Sequence, residues 1–321
     1  MNKIFKVIWS KSKQCYVVVS EVAKNNTGKK KIVVASILAG LAMLTSGGVS
    51  NVVAVAPIAP VDRPSQGLAN GSVKPGTTNG VAIASSSYID SHQSIAIGYR
   101  SYASGTFLGG NIKPSIAIGA GADARGNNTI SIGTVANNAA SYAVALGNES
   151  NVESGADYGL AVGYGSSVST QQGIAIGTNT KATASLAMAI GNGAKASGEN
   201  AISVGRGTSA SGGDAVSIGT SAQATGSDSL ALGKNAMANN GDSIAVGQDT
   251  VANKINSVAL GHSAQATGAS ANALGAQSKA SGVAAIAIGL NTNTSSDYSA
   301  TIGYNSKATV NESVALGSDS E

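Results

Sequence analysis

From residue 84 to residue 317, large apolar residues come in pairs two positions apart, each pair is followed by glycine, and the unit returns with a 14-residue period broken twice. The glycines are Gly98, Gly119, Gly133, Gly147, Gly163, Gly177, Gly191, Gly205, Gly219, Gly233, Gly247, Gly261, Gly275, Gly289, Gly303 and Gly317, and thirteen of the fifteen intervals between them have that length. The residue before the glycine is always aliphatic: Ile97, Ile118, Ile132, Leu146, Val162, Ile176, Ile190, Val204, Ile218, Leu232, Val246, Leu260, Leu274, Ile288, Ile302 and Leu316. Two positions earlier stands another large apolar residue, such as Ile95, Ile116, Val144, Met188 or Ile244, with Asn272 and Ala300 as exceptions. Ala, Ser or Thr lies between them. A period of two predicts a short strand with large side chains on one face and small ones on the other. The aliphatic residues before the glycines are expected to form the structural core of the repeat.

Beyond the glycine the pattern changes. Three and five residues on stand small residues (Ala194 and Ala196, Ala264 and Ala266), whereas four and six residues on stand mostly polar ones (Lys195 and Ser197, Gln265 and Thr267). This predicts a second strand, half-buried with its polar side to water. A second glycine often closes the unit (Gly198, Gly212, Gly226, Gly268, Gly282), as suits a turn needing positive φ. Each 14-residue unit thus reads as two strands of about five residues and two tight turns, one flattened coil of a β-solenoid. Coils stacked about 4.8 Å apart would make two parallel sheets and a rod of about 75 Å.

The first strand carries no charge on either face. Whichever side packs inside the coil, the other remains apolar, and a sheet apolar on both faces has to be covered on both. No helix or second domain is at hand to cover it, so the cover is expected to be further copies of the chain in a closed oligomer. The small-residue stripe is the side expected to meet them, with Ala175, Ala189 and Ala245 as its test positions. Counting does not choose between two and three chains.

Composition agrees with a thin core: Phe and Trp number three in the whole chain, while Gly numbers 42. The net charge of +4 is misleading, because residues 1–56 hold eight lysines and one glutamate and the remainder carries a net of −3. No Lys/Arg cluster interleaved with aromatics speaks for nucleic acid. Cys15, in the leader, is the sole cysteine, which excludes disulfides from the repeat. His92 and His262 lie about twelve coils apart, and no phosphate-loop glycine pattern occurs. No catalytic, cofactor or metal site is expected. Asp214, Asp228 and Asp242 recur in register and could share a cation, although aspartates capping solvated turns are the simpler account. Asn272 is expected to be hydrogen-bonded by stacked neighbours or to hold a water or anion.

Residues 1–56 read as a leader. Lys29, Lys30 and Lys31 precede a 13-residue apolar stretch over 32–44, followed by small residues with a cleavage window at 46–56. Residues 57–79 hold four of the five prolines and read as an extended segment. The n-region is unusually long, and its Met-Asn-Lys-Ile-Phe-Lys-Val-Ile-Trp-Ser opening, with Tyr16-Val17-Val18-Val19-Ser20-Glu21, resembles the extended signal peptide region of large Gram-negative autotransporters. The Ser-Ile-Ala-Ile-Gly and Ser-Val-Ala-Leu-Gly units over residues 80–321 likewise resemble the head of YadA-type trimeric autotransporter adhesins. That resemblance implies an all-β, left-handed parallel β-roll with three chains about one axis. It also implies an exported homotrimer at the cell surface or outer membrane. Relatives of this kind would continue past residue 321 into a stalk and membrane anchor, so the chain reads as a fragment or truncated product, secreted if no anchor follows.

The expected function is adhesion through a long repetitive surface. By resemblance the partners would be collagen, laminin or fibronectin, or other heads in autoagglutination; a structural spacer is the alternative. The candidate ligand surface comprises Lys181, Lys195, Lys279 and Lys307, four residues after their glycines, with Phe107 and Leu108 in an insertion at about residues 106–114 that stretches one interval to 21. Two extra residues at 154–158 stretch another interval to 16.

Overall fold

The computed structural model describes residues 5–10, 15–20, 71–73, 80–105 and 113–321. The apolar stretch at 32–44, the cleavage window at 46–56, most of the segment 57–79, and Phe107 and Leu108 lie outside the described residues. The chain divides into two units, Met1–Val49 and Ser50–Glu321. In the first, Phe5–Ser10 and Cys15–Ser20 pair as an antiparallel hairpin, with Phe5 opposite Ser20 and Ser10 opposite Cys15.

In the second unit every described element is a strand, and the elements alternate between three and two residues. The three-residue strand ends at the residue before the repeat glycine, as in Met188–Ile190; the two-residue strand follows four residues after it, as in Lys195–Ala196. Each pairs in parallel with its counterpart one coil away, Met188 with Ile202 and Lys195 with Ser209. Two parallel sheets result, stacked as a β-solenoid of 14-residue coils. Both strand types are shorter than expected, because the turns take up the rest of each coil. The two-residue ladder also begins before residue 80, with Ser72–Val73 paired to Tyr88–Ile89.

The interior is made of small side chains. In the coil around Gly191, Ala187, Ala189 and Ala194 are fully buried and Ala196 is 1% exposed. The same four places elsewhere mostly hold Ser, Thr or Ala, and buried hydroxyls close the turns on themselves. Ser150 Oγ donates to the Gly147 carbonyl at 2.9 Å and Thr250 Oγ1 to that of Gly247 at 2.9 Å; on the opposite turn Ser229 Oγ donates to the Gly226 carbonyl at 2.6 Å. Volume is conserved locally. Where Val168 fills the interior, glycine stands across from it, and a Cβ on Gly173 would come within 2.7 Å of Val168 Cγ1. A buried methyl contributes only about 0.8 kcal/mol, so no single coil holds itself together and stability accumulates along the stack.

The expectation that the aliphatic residues before the glycines form the core is corrected by this packing. Ile97, Ile118, Leu146, Val162, Ile176, Ile190, Val204, Val246, Leu274 and Ile288 are only half-buried, and Ile132, Ile218, Leu232, Leu260, Ile302 and Leu316 are exposed. Facing sheets a few small side chains apart leave no room for a row of large aliphatics between them, so the small side of the strand turns inward and the large side outward. The stripe expected to meet partner chains is therefore the coil interior.

Two backbone requirements set the turns. The repeat glycines have φ between 107° and 149°, a region L-residues avoid, and a Cβ on Gly233 would collide with the carbonyl of Gly247 in the next coil. In the second turn the positive φ falls not on Gly198, Gly212, Gly226, Gly268 and Gly282, as expected, but two residues later, on Asn200, Asp214, Asp228, Ser270 and Ala284 at 52–56°. Gly198 answers a steric need instead, since its Cβ would meet the Gly212 carbonyl.

Replacing Ala175, Ala189 or Ala245 by Asp should destabilise the roll by several kcal/mol, because a carboxylate would sit unpaired between the sheets. A circular-dichroism melt with an unchanged midpoint would show that this side is not interior.

Candidate functional surfaces

The roll presents two unlike flanks and two rows of turns. On one flank the outward side chains of the three-residue strands form a continuous apolar ladder, with Leu232 at 40% and Leu260 at 48% exposed. The irregular intervals do not interrupt it: Ile95 pairs with Ile116 across the longer interval, and Val144 with Leu160 across the other. The two extra residues at 154–158 are absorbed by turns. Asn272 is the one polar outward residue of these described strands, paired with Val258 on one side and Ile286 on the other. It lies outside the coil, not within it, and its Nδ2 donates to the Ser270 carbonyl at 3.2 Å.

The other flank carries the outward residues of the two-residue strands. Lys181, Lys195, Lys279 and Lys307 are all exposed there. Lys181 and Lys195 are ladder neighbours, Lys279 lies between Gln265 and Asn293, and Lys307 Nζ pairs with Glu321 at 3.0 Å. The lysines are thus interspersed with neutral side chains and do not form a single basic patch. Nearer the N-terminal end the same row holds Tyr88 and Tyr102, stacked with ring centroids 5.6 Å apart. The Arg125 guanidinium lies 5.8 Å from the Tyr102 ring and pairs with Asp123, at 3.0 Å through Nε and 2.6 Å through a terminal nitrogen. The hydrogen bond and charge of Asp123 hold Arg125 above its ordinary pKa. Sequence reading did not single out this cluster, although its register, four and six residues past the glycines, was a visible signal.

The turns are clasped by side chains one coil apart. Asn235 Nδ2 donates to Asp249 Oδ1 at 2.8 Å, Asn305 Nδ2 to Asp319 Oδ1 at 2.7 Å, and Asn291 Nδ2 to Asn305 Oδ1 at 2.9 Å. These amides lower the Asp249 and Asp319 pKa values, with secondary help from Gln248 and Ser318. Asp214, Asp228 and Asp242 are exposed on the other turn at φ of 55–56°, a conformation that Asn and Asp tolerate best after glycine. Asp214 accepts from Asn200 Nδ2 at 3.1 Å. Among the described residues no group of His, Cys, Asp and Glu is arranged to hold a metal ion. Tyr142 and Tyr158 stack on this same row of turns, centroids 5.1 Å apart.

A rod of stacked 14-residue coils with one apolar flank and one polar flank defines a repetitive surface protein, and comparison with known families identifies which. The model for the YadA head domain repeat (two copies) matches residues 91–107, 113–136, 154–180, 182–208, 210–236, 238–264, 266–292 and 295–320, together more than half of the chain. The extended signal peptide of the type V secretion system matches residues 1–49. The chain therefore belongs to the YadA head family and is the head of a trimeric autotransporter adhesin, a non-enzymatic kind of protein exported to the surface of a Gram-negative cell. A search of curated proteins returns no match. Most matched segments span two coils each, and the unmatched stretch 137–153 still contributes the in-register strand Val144–Leu146.

The turn clasps are expected to be directly measurable. A carbon-detected NMR titration should place the Asp249 carboxyl below the ordinary aspartate range, and Asn235→Ala should move it back up. The sign follows from the lowered pKa: any stabilisation from the clasp is present above the unfolded-state value and is lost as pH falls through the folded one. Because Asp249 is only partly covered and its clasp lies on a solvated turn, the unfolding midpoint should hardly change.

Proposed function

We propose that three chains close on the aliphatic flank and that the opposite flank, displayed outward on each of the three, binds host extracellular matrix or neighbouring cells. The observation that carries this is the contrast between the faces. Interior positions stay mostly Ala, Ser or Thr from coil to coil, whereas the outward row runs Lys181, Lys195, Ser209, Gln223, Met237, Val251. Interior uniformity is required by packing; outward variety is free to serve recognition. Collagen, laminin and fibronectin are the class of partner this proposal names, long repetitive proteins that a long repetitive rod meets at many weak contacts. Avidity, with three copies of each row, replaces a deep pocket. Attachment at the outer membrane belongs to the same proposal. Phe107 and Leu108 remain candidates for a local contact.

The closure predicts that Leu232→Asp combined with Leu260→Asp converts the trimer to monomers in sedimentation while parallel-sheet circular dichroism persists. A variant that sediments as the parent would remove the aliphatic flank as the interface. Recognition is expected to be distributed. Lys195→Ala should weaken adhesion to immobilised matrix protein by about 0.2–1 kcal/mol, as exposed charges do, while deleting three or four whole coils in register should preserve the fold and cut binding steeply. If deletion of residues 106–114 alone abolished binding, recognition would be local to that insertion; a head that binds no matrix protein would leave a spacer role.

A further inference from the structure

We propose that Asn272 sets the axial register of the three chains. The inference rests on the reading that the trimer closes on the aliphatic flank. That flank poses a problem its own regularity creates: each coil offers its neighbours an outward aliphatic pair, as Ile244 and Val246 do in one coil and Val258 and Leu260 in the next. A chain displaced along the axis by one coil would meet almost the same apolar surface and lose only the contacts at the ends. Apolar contact is non-directional and discriminates poorly between such registers. The aliphatic ladder itself carries no mark at the irregular intervals, since it runs through both without a break.

Asn272 is the exception in this ladder. It occupies the place held by Val258 one coil before and Ile286 one coil after. Its intrachain side-chain hydrogen bond, Nδ2 to the Ser270 carbonyl, leaves the second N–H and Oδ1 to be satisfied across the interface. In the aligned trimer three Asn272 side chains lie at one level of the axis and can hydrogen-bond to one another. Slip of one chain by one coil sets its amide against the Val258 or Ile286 level and strands the other two, and a buried unsatisfied amide is more costly than a missing contact is favourable. A single polar residue in an apolar seam specifies alignment in this way at some expense of stability. Ala300, two coils further on, removes bulk at a second level but carries no hydrogen bond that could enforce a match.

The test is whether chains sort by the position of the amide. Wild-type full-length chain and the double variant Val258→Asn/Asn272→Val, which moves the amide by one coil, are co-expressed with different tags. Trimer composition is then counted by native mass spectrometry. Homotrimers are expected to exceed the statistical distribution several-fold. The single variant Asn272→Val, co-expressed with wild type, is expected to sort in the same direction and keeps the test open should the double variant not fold. Statistical mixing in trimers that do form would overturn the role of Asn272 while leaving the aliphatic closure intact. A wild-type chain that is monomeric, or trimers that survive the Leu232→Asp/Leu260→Asp change, would overturn both.

Discussion

Everything in the roll depends on how closely one coil sits on the next at the repeat glycines. The carbonyl of each stands where a Cβ on the previous one would be, as Gly247 does for Gly233, and the same residue takes a φ that only glycine adopts freely. Within the stack a side chain there would force neighbouring coils to shift; Ala84 takes this place only in the first coil of the three-residue ladder. With that approach fixed, the strands stay in parallel register, the turns stack, and the interior narrows to a slot that Ala, Ser and Thr fill.

The slot explains an apparent inversion of hydrophobic order. Burial normally favours Ile over Ala, yet Ala189 is fully buried and Ile190 beside it is not. The outward aliphatics are released from packing the coil and are left as a continuous apolar flank. Polar side chains do the local work: hydroxyls such as that of Ser229 tie the turns to their own backbone, and amides such as that of Asn235 tie one coil to the next.

Much of this was legible from residue spacing. The repeat, the alternation before Gly191 and the parallel stacking follow from period-2 and 14-residue recurrences that any coil of this size imposes. The inward side of the first strand did not follow, because both its faces are apolar and hydrophobicity alone ranks them wrongly; sheet separation decides, and that is a three-dimensional quantity. Gly198 was misread for a related reason: its role is to make room for a carbonyl one coil away, and the residue with positive φ is Asn200. At the candidate surfaces the exposed lysines were found by counting from the glycines. The Tyr102, Arg125 and Asp123 cluster went unnoticed because it breaks the row's chemistry within two coils only.

The hydrogen bonds of both ladders join one coil to the next, as from the Ile202 amide to the Ala215 carbonyl at 2.9 Å. They run along the rod, not across it. A tensile load drawn between the two ends therefore passes through every coil boundary in series, and the strength of the rod is that of its weakest boundary, however many coils are added. Lengthening such a head extends its reach without making it tougher; toughness comes from placing three rods in parallel.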